Sequence, residues 1–162
     1  MTKNILVVGE FNQDGLSDTT AELLTGASSL SSGGSVSVVL LGAGSQDQAQ
    51  SAFSYGATKV YTIDNESFSE FLPDKWSIAV NDIFDKEQSD LVLLEQSTVG
   101  RDLAPRLAFK LNSAVAMDCV SIESDDAGFK ATRPCFGGNA RATYSYSANP
   151  AIATVRAKSF EA

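Results

Sequence analysis

The sequence contains no histidine. That absence removes the side chain that most often serves as general base near neutral pH, the Ser-His and Cys-His nucleophile pairs, and the commonest ligand of catalytic metals. Cysteine is almost as scarce: Cys119 and Cys135 are the only 2, too few for a disulfide framework and without the paired short spacings of a zinc site. Apart from Arg133 beside Cys135, neither has a basic neighbour in sequence, so both are expected as buried, apolar, unreactive thiols. No glycine-rich stretch ends in Gly-Lys-Ser/Thr, which argues against P-loop nucleotide hydrolysis. Positive charge is short as well. The 12 Lys and Arg against 20 Asp and Glu give a net charge of -8 and a pI near 4.4, a balance that disfavours nucleic acid and anionic membranes as partners. No apolar run approaches the roughly 18 residues of a membrane span. Met1 to Glu10 passes directly into an apolar strand pattern, without the layout of a secretion or import leader. The expectation is a soluble, reduced, cytoplasmic protein with no direct membrane insertion and no catalytic residues of its own; a mitochondrial matrix location would require that a leader had been removed.

What is present suits one α/β domain spanning residues 1–162. The hydrophobic fraction of 43% and charged fraction of 20% are those of an ordinary folded chain able to bury a sizeable core. Short β-branched or leucine-rich runs recur at Ile5 to Val8, Val36 to Leu41, Lys59 to Ile63 and Leu91 to Leu94, as expected of parallel strands buried on both faces. Helical spacing fills the gaps. Ser17 to Leu30 carries Ala21, Leu23, Leu24, Ala27 and Leu30 on one stripe, with Ser17 and Asp18 at its start. Ser45 to Tyr55 reads as a second helix, with Ala49, Ala52 and Phe53 inward and Gly56 as its stop. Ser67 to Gln88 reads as two helical pieces parted near Pro73, and Arg101 to about Leu111 as a fourth helix with Pro105 in its first turns. From Ala114 on, the rhythm changes to strands without helices: Ala114 to Ile122, Phe129 to Arg133, Arg141 to Tyr146 and Ala151 to Arg156. This tail reads as antiparallel. The whole predicts four βα units in a mostly parallel sheet with helices on both faces, followed by an antiparallel C-terminal extension.

Few segments carry chemistry. Gly42-Ala43-Gly44 follows a strand and opens a helix, where a dinucleotide fingerprint would sit, but position 47 is Asp instead of the third glycine. Asp47 favours the helix dipole and competes with a pyrophosphate, so a tight turn is the expected role. Gln96 to Arg101 lies between a strand's carboxyl end and a helix start, where open α/β sheets place ligands. Thr98, Gly100 and Arg101 are therefore the candidate ligand or partner contacts, able to hold an anion or a partner's carboxylate. A plain helix cap by Thr98 or Asp102 accounts for the same residues. Gly137-Gly138-Asn139 suits a tight turn between strands, and Asp125-Asp126 a solvent-facing turn. Charge is divided: residues 1–100 hold 4 basic and 14 acidic groups, and residues 101–162 hold 8 and 6. An anion or an acidic partner would thus prefer the last third.

Several segments, in order, resemble the alpha subunit of electron transfer flavoproteins. Gly56-Ala57 with Lys59-Val60-Tyr61 is similar to one family strand, Asp90 to Leu94 to another, and Gly100-Arg101-Asp102-Leu103-Ala104-Pro105-Arg106-Leu107-Ala108 to the helix that follows. Asp118 falls in its expected strand. Arg133, Gly137-Gly138-Asn139-Ala140, and Thr154-Val155-Arg156 with Ser159-Phe160 complete the match, which runs from about residue 56 to the end. The resemblance implies a Rossmann-like, adenine nucleotide alpha hydrolase-like fold and the N-terminal domain of a longer subunit, whose FAD-binding second domain would begin beyond Ala162. It implies a heterodimer with a beta subunit, FAD in the complete heterodimer and none in this domain, and electron transfer from acyl-CoA or other flavin dehydrogenases to a quinone oxidoreductase. No FAD-contacting position carries over. In the related beta subunit AMP occupies the corresponding domain, which leaves a free-standing adenine-nucleotide-binding protein as the competing reading.

Overall fold

The computed structural model describes residues 2–161. Each buried aliphatic run becomes a strand. The chain begins with Ile5–Gly9 (β1), a small hairpin of Phe11–Asn12 (β2) and Gly15–Leu16 (β3), and the helix Asp18–Leu30 (α1). Val36–Leu41 (β4), the short helix Ala49–Ser54 (α2), Lys59–Ile63 (β5), the helix Pro73–Glu87 (α3), Leu91–Glu95 (β6), the helix Thr98–Lys110 (α4) and Val115–Cys119 (β7) follow. A meander of Ser121–Asp125 (β8), Gly128–Cys135 (β9) and Ala140–Ser145 (β10) precedes the last strand, Ala151–Val155 (β11).

Six strands form a Rossmann-like parallel sheet in the order β5-β4-β1-β6-β11-β7, while β8, β9 and β10 form a separate antiparallel sheet. Successive residues of each central strand point to opposite faces. Ile5, Val7, Val38 and Leu93 pack beneath Leu23, Leu24 and Ala27 of α1, together with Phe129 and Ala131 of the meander. Leu6, Val8, Val39 and Leu94 pack beneath Trp76, Val80 and Ile83 of α3 and Leu103 and Leu107 of α4. With both faces covered, an alternating polar pattern is impossible, which is why these strands read as continuous apolar runs. Burying each large aliphatic side chain contributes about 1.5–3 kcal/mol.

The C-terminal third differs in detail from its expected form. The run from Ala114 to Ile122 is two strands, and the chain leaves the parallel sheet for the meander at Val120, whose amide bonds the Thr132 carbonyl of β9. The last strand is parallel and sits between β6 and β7. All five residues of β11 are buried, the mark of a two-sided core strand and not of a half-exposed antiparallel one. The second helix is reduced to α2 after a 3-10 turn at Gln46–Gln48, and Phe53, expected inward, is exposed. The fourth helix starts three residues early, which makes Pro105 an interior proline; the Arg101 carbonyl loses its helical donor on the solvent side.

Phe160 closes the first helix against the tail. A Cβ placed on Gly26 of α1 would lie 2.5 Å from the Phe160 ring, so only glycine admits this contact. Gly26→Ala is expected to cost about 1–3 kcal/mol by overpacking, read from urea unfolding, with Phe160→Ala in the same chain lowering the additional cost of the alanine.

Candidate functional site

Strand addition reverses between β1 and β6: β4 and β5 lie on one side of β1, and β6, β11 and β7 on the other. The loops leaving β1 and β6 therefore part, and a crevice opens at the carboxyl ends of the strands. A cleft of about 650 Å³ lies there, lined by Glu10, Phe11, Gly42, Asp47, Phe71 and Trp76 among others. Phe71 stands edge-on to Trp76, with ring centroids 5.3 Å apart.

Two carboxylates, Glu95 buried and Glu10 half-buried, sit at the ends of the two diverging strands. Glu95 ends β6 and accepts hydrogen bonds from the Ser17 hydroxyl and, at 2.6 Å, from the Thr20 hydroxyl. Glu10 follows β1 and accepts from the Ser97 hydroxyl. Each serine is also a helix cap: Ser17 accepts from the Thr20 amide at 2.9 Å and Ser97 from the Gly100 amide at 3.0 Å. The cap of α1 thus holds the end of β6, and the cap of α4 holds the end of β1, with α1 and α4 on opposite sheet faces. Burial pushes the Glu10 carboxyl up to about 7 against the Ser97 hydrogen bond, with the Glu95 charge adding to the rise. Burial raises Glu95 too, although Ser17 and Thr20 oppose it. Since both serine hydroxyls already accept an amide and donate to a carboxylate, the arrangement is a latch between helices and not an activated nucleophile. Neither glutamate is among the residues singled out from the sequence.

The loop expected as a tight turn is one. Gly42 and Gly44 adopt φ of 128° and 81°, and the Asp64 carboxylate accepts from the Gly44 amide at 3.0 Å and the Gln46 amide at 3.4 Å. Ser69 takes the Ala43 amide at 3.0 Å. These amides are the donors a phosphate would need, and a side-chain carboxylate already holds two of them. The cleft is lined by Glu10 and Asp47 and by no Lys or Arg. Its chemistry is that of hydrogen-bond acceptors beside aromatic rings, hostile to phosphate and tolerant of neutral or cationic groups.

Of the residues singled out from sequence, Thr98 is exposed in the first turn of α4, Gly100 is buried, and Arg101 is exposed. The cap assigned to Thr98 or Asp102 is Ser97. Gly100 is a packing requirement, since a Cβ there would lie 1.9 Å from the Glu95 carbonyl oxygen. A different cluster lies at the carboxyl ends of β7 and β11. Asp118, at φ 65°, pairs with Arg156 through Nε at 2.5 Å and a second nitrogen at 2.8 Å. Its carboxyl is held below the usual range by the Arg156 hydrogen bond first, and through space by Arg133 and Arg101. Sequence reasoning placed Asp118 and Arg156 in strands but did not join them.

Cys119 is buried, and desolvation pushes its thiol up to about 11, as an inert core cysteine should behave. Cys135 is only half-buried, a correction to the expectation for it: it ends β9 beside Arg133 on the wall of a pocket of about 430 Å³. Gly137 and Gly138 have φ of 65° and 93° in the expected turn. Among the described residues, no group of three or more His, Cys, Asp or Glu could hold a metal ion, and no helix is long and apolar enough to cross a membrane.

The family model described as electron transfer flavoprotein domain matches residues 5–162. The chain is 32% identical to the electron transfer flavoprotein subunit alpha of Clostridium acetobutylicum, over 98% of this chain and 49% of that protein. It is 31% identical to the subunit of the same name from Megasphaera elsdenii, over 98% of this chain and 48% of the relative. Protein FixB of Azorhizobium caulinodans is 34% identical over 68% of this chain and 31% of its own length. The chain spans about half the length of the alpha subunits it matches.

Proposed function

Because this chain belongs to the electron transfer flavoprotein domain family, we propose that it is the docking domain of an alpha subunit, packing against a beta subunit to form the base on which a flavin domain sits. The complete heterodimer would hold FAD and carry electrons in the cytoplasm from acyl-CoA or other flavin dehydrogenases to a quinone oxidoreductase. The cofactor performs the redox step, and this domain supplies position and contact.

The observation that carries the reading is β10. It pairs with β9 on one side only, and five of its six residues are exposed. Such an edge offers unpaired backbone groups to a second chain. Arg141 and Tyr144 on it, with Phe136 at 84% exposure in the preceding turn, are of the residue types that anchor interfaces. They also stand in the basic third of an acidic chain.

The cleft argues against holding FAD or AMP here. Asp64 occupies the loop amides that would receive a phosphate, Glu10 and Asp47 face the same space, and an unshielded phosphate beside them would be repelled. The free-standing nucleotide binder is accordingly the weaker reading.

Arg141→Glu combined with Tyr144→Ser is expected to weaken association with the beta subunit at least about tenfold, ~1.4 kcal/mol, measured by sedimentation velocity, with the circular dichroism unchanged because both side chains face solvent. Equal affinity for the variant and the unaltered chain would remove β10 from the interface and this reading with it.

A further inference from the structure

The pocket at the carboxyl ends of β7 and β11 has more positive charge than its one carboxylate balances. Its wall includes Asp118, Arg133, Cys135, Gly137 and Arg156. Arg156 uses Nε and a terminal nitrogen on Asp118, so that pair is satisfied. Arg133 is not: its Nε is buried and has no hydrogen-bond partner. Arg101, in the first turn of α4, lies off the pocket wall and adds only its field to the same carboxylate. Two guanidinium groups therefore share the pocket wall with one carboxylate. A buried donor fixed to a permanent charge is unfavourable without an acceptor, and guanidinium is the group best shaped to take a planar or tetrahedral oxyanion. Space for one exists, because Gly137 and Gly138 have nothing within 4 Å of where a Cβ would stand.

We propose that this pocket is an oxyanion-binding site, in which Arg133 takes a phosphate or carboxylate group while Arg156 stays on Asp118. The site is separate from the acidic cleft, on the other side of the switch point, and does not depend on β10 as the docking edge. The oxyanion has two possible sources, the phosphate of a soluble ligand or the carboxylate of an acidic side chain. Both present the same negative oxygen atoms to Arg133.

The arginine Nε–Hε signals of the isotope-labelled 162-residue chain, followed by NMR during titration with inorganic phosphate and separately with sodium acetate at constant ionic strength, test this directly. The Arg133 signal is expected to move to saturation, while Arg106, already held by Asp74 and Asp102, stays in place. Saturation with phosphate and not acetate assigns a phosphate ligand; an equal response to acetate assigns a carboxylate. Arg133→Lys, which keeps the charge and loses the fork, should weaken binding about tenfold, read from the Arg156 signal on the same pocket wall. An Arg133 signal that shifts no more than that of Arg106 in both titrations would overturn the proposal.

Discussion

Gly100→Ala is expected to cost at least about 3 kcal/mol, which for a chain of this size lowers the melting temperature by about 6–12 °C. The cause is space. The added Cβ would lie 1.9 Å from the Glu95 carbonyl oxygen, 3.0 Å from its carbon and 3.4 Å from Leu94 Cβ. The carbonyl belongs to the backbone of β6, a central strand held on both sides, so it cannot swing away as a side chain would. The first turn of α4 must retreat instead, and it carries the Gly100 amide's bond to Ser97 and, through Ser97, the hold on Glu10. Thr98→Ala, two residues earlier and exposed, should change stability by no more than about 0.5 kcal/mol. Thermal unfolding of the two variants side by side distinguishes a packing requirement at Gly100 from a general intolerance of the loop.

Stability should fall as the pH rises from about 5 to 8. Glu10 in the folded protein titrates near 7, above its ordinary value of 4.5, so the native state holds a proton that the unfolded chain has released. The contribution is fully present below about 4.5 and is lost as pH climbs toward about 7. Glu95, also raised by burial, acts in the same direction. Asp118, lowered chiefly by Arg156, acts oppositely: its stabilisation is present above the ordinary carboxylate range and is lost on acidification. Maximum stability therefore falls in mildly acidic solution. Glu10→Gln imitates the protonated form and keeps an acceptor for Ser97, so it should flatten much of the decline and make the variant more stable than the unaltered chain at pH 8. Urea unfolding at pH 5, 6, 7 and 8 provides the comparison. Parallel curves for the two proteins would mean that Glu10 is ionised in the folded state across this range.

The parallel sheet was legible because strands buried on both faces must be apolar at every position, and Ile5 to Val8, Val36 to Leu41 and Leu91 to Leu94 have no other comfortable place. The tail was harder. Ala151 to Val155 follows three strands of a meander, and only its unbroken burial reveals that it returns to the centre of the first sheet. The cap of α4 was misplaced because Ser97, Thr98 and Asp102 can all accept an amide, and the choice rests on which of them reaches Gly100. The latch at the crevice had no local signal. Ser97 and Glu10 stand 87 positions apart, and Ser17 and Glu95 stand 78 apart, joined only once β1 and β6 lie side by side. Asp64 likewise reaches the Gly44 amide across 20 residues, and turns a loop that could have cradled phosphate into one that is closed to it. The general location of Thr98, Gly100 and Arg101 at a strand's carboxyl end was readable from the strand-to-helix order; the division of that rim into an acidic cleft and an arginine pocket required the fold.

Calorimetric titration of this chain with the beta subunit and, separately, with AMP and FAD is the most direct test. The docking account predicts a saturable heat with the beta subunit and, once the arginine pocket is weakened by Arg133→Lys, flat traces with both nucleotides. Saturable AMP or FAD binding together with no heat from the beta subunit would contradict it and establish a nucleotide-binding module instead.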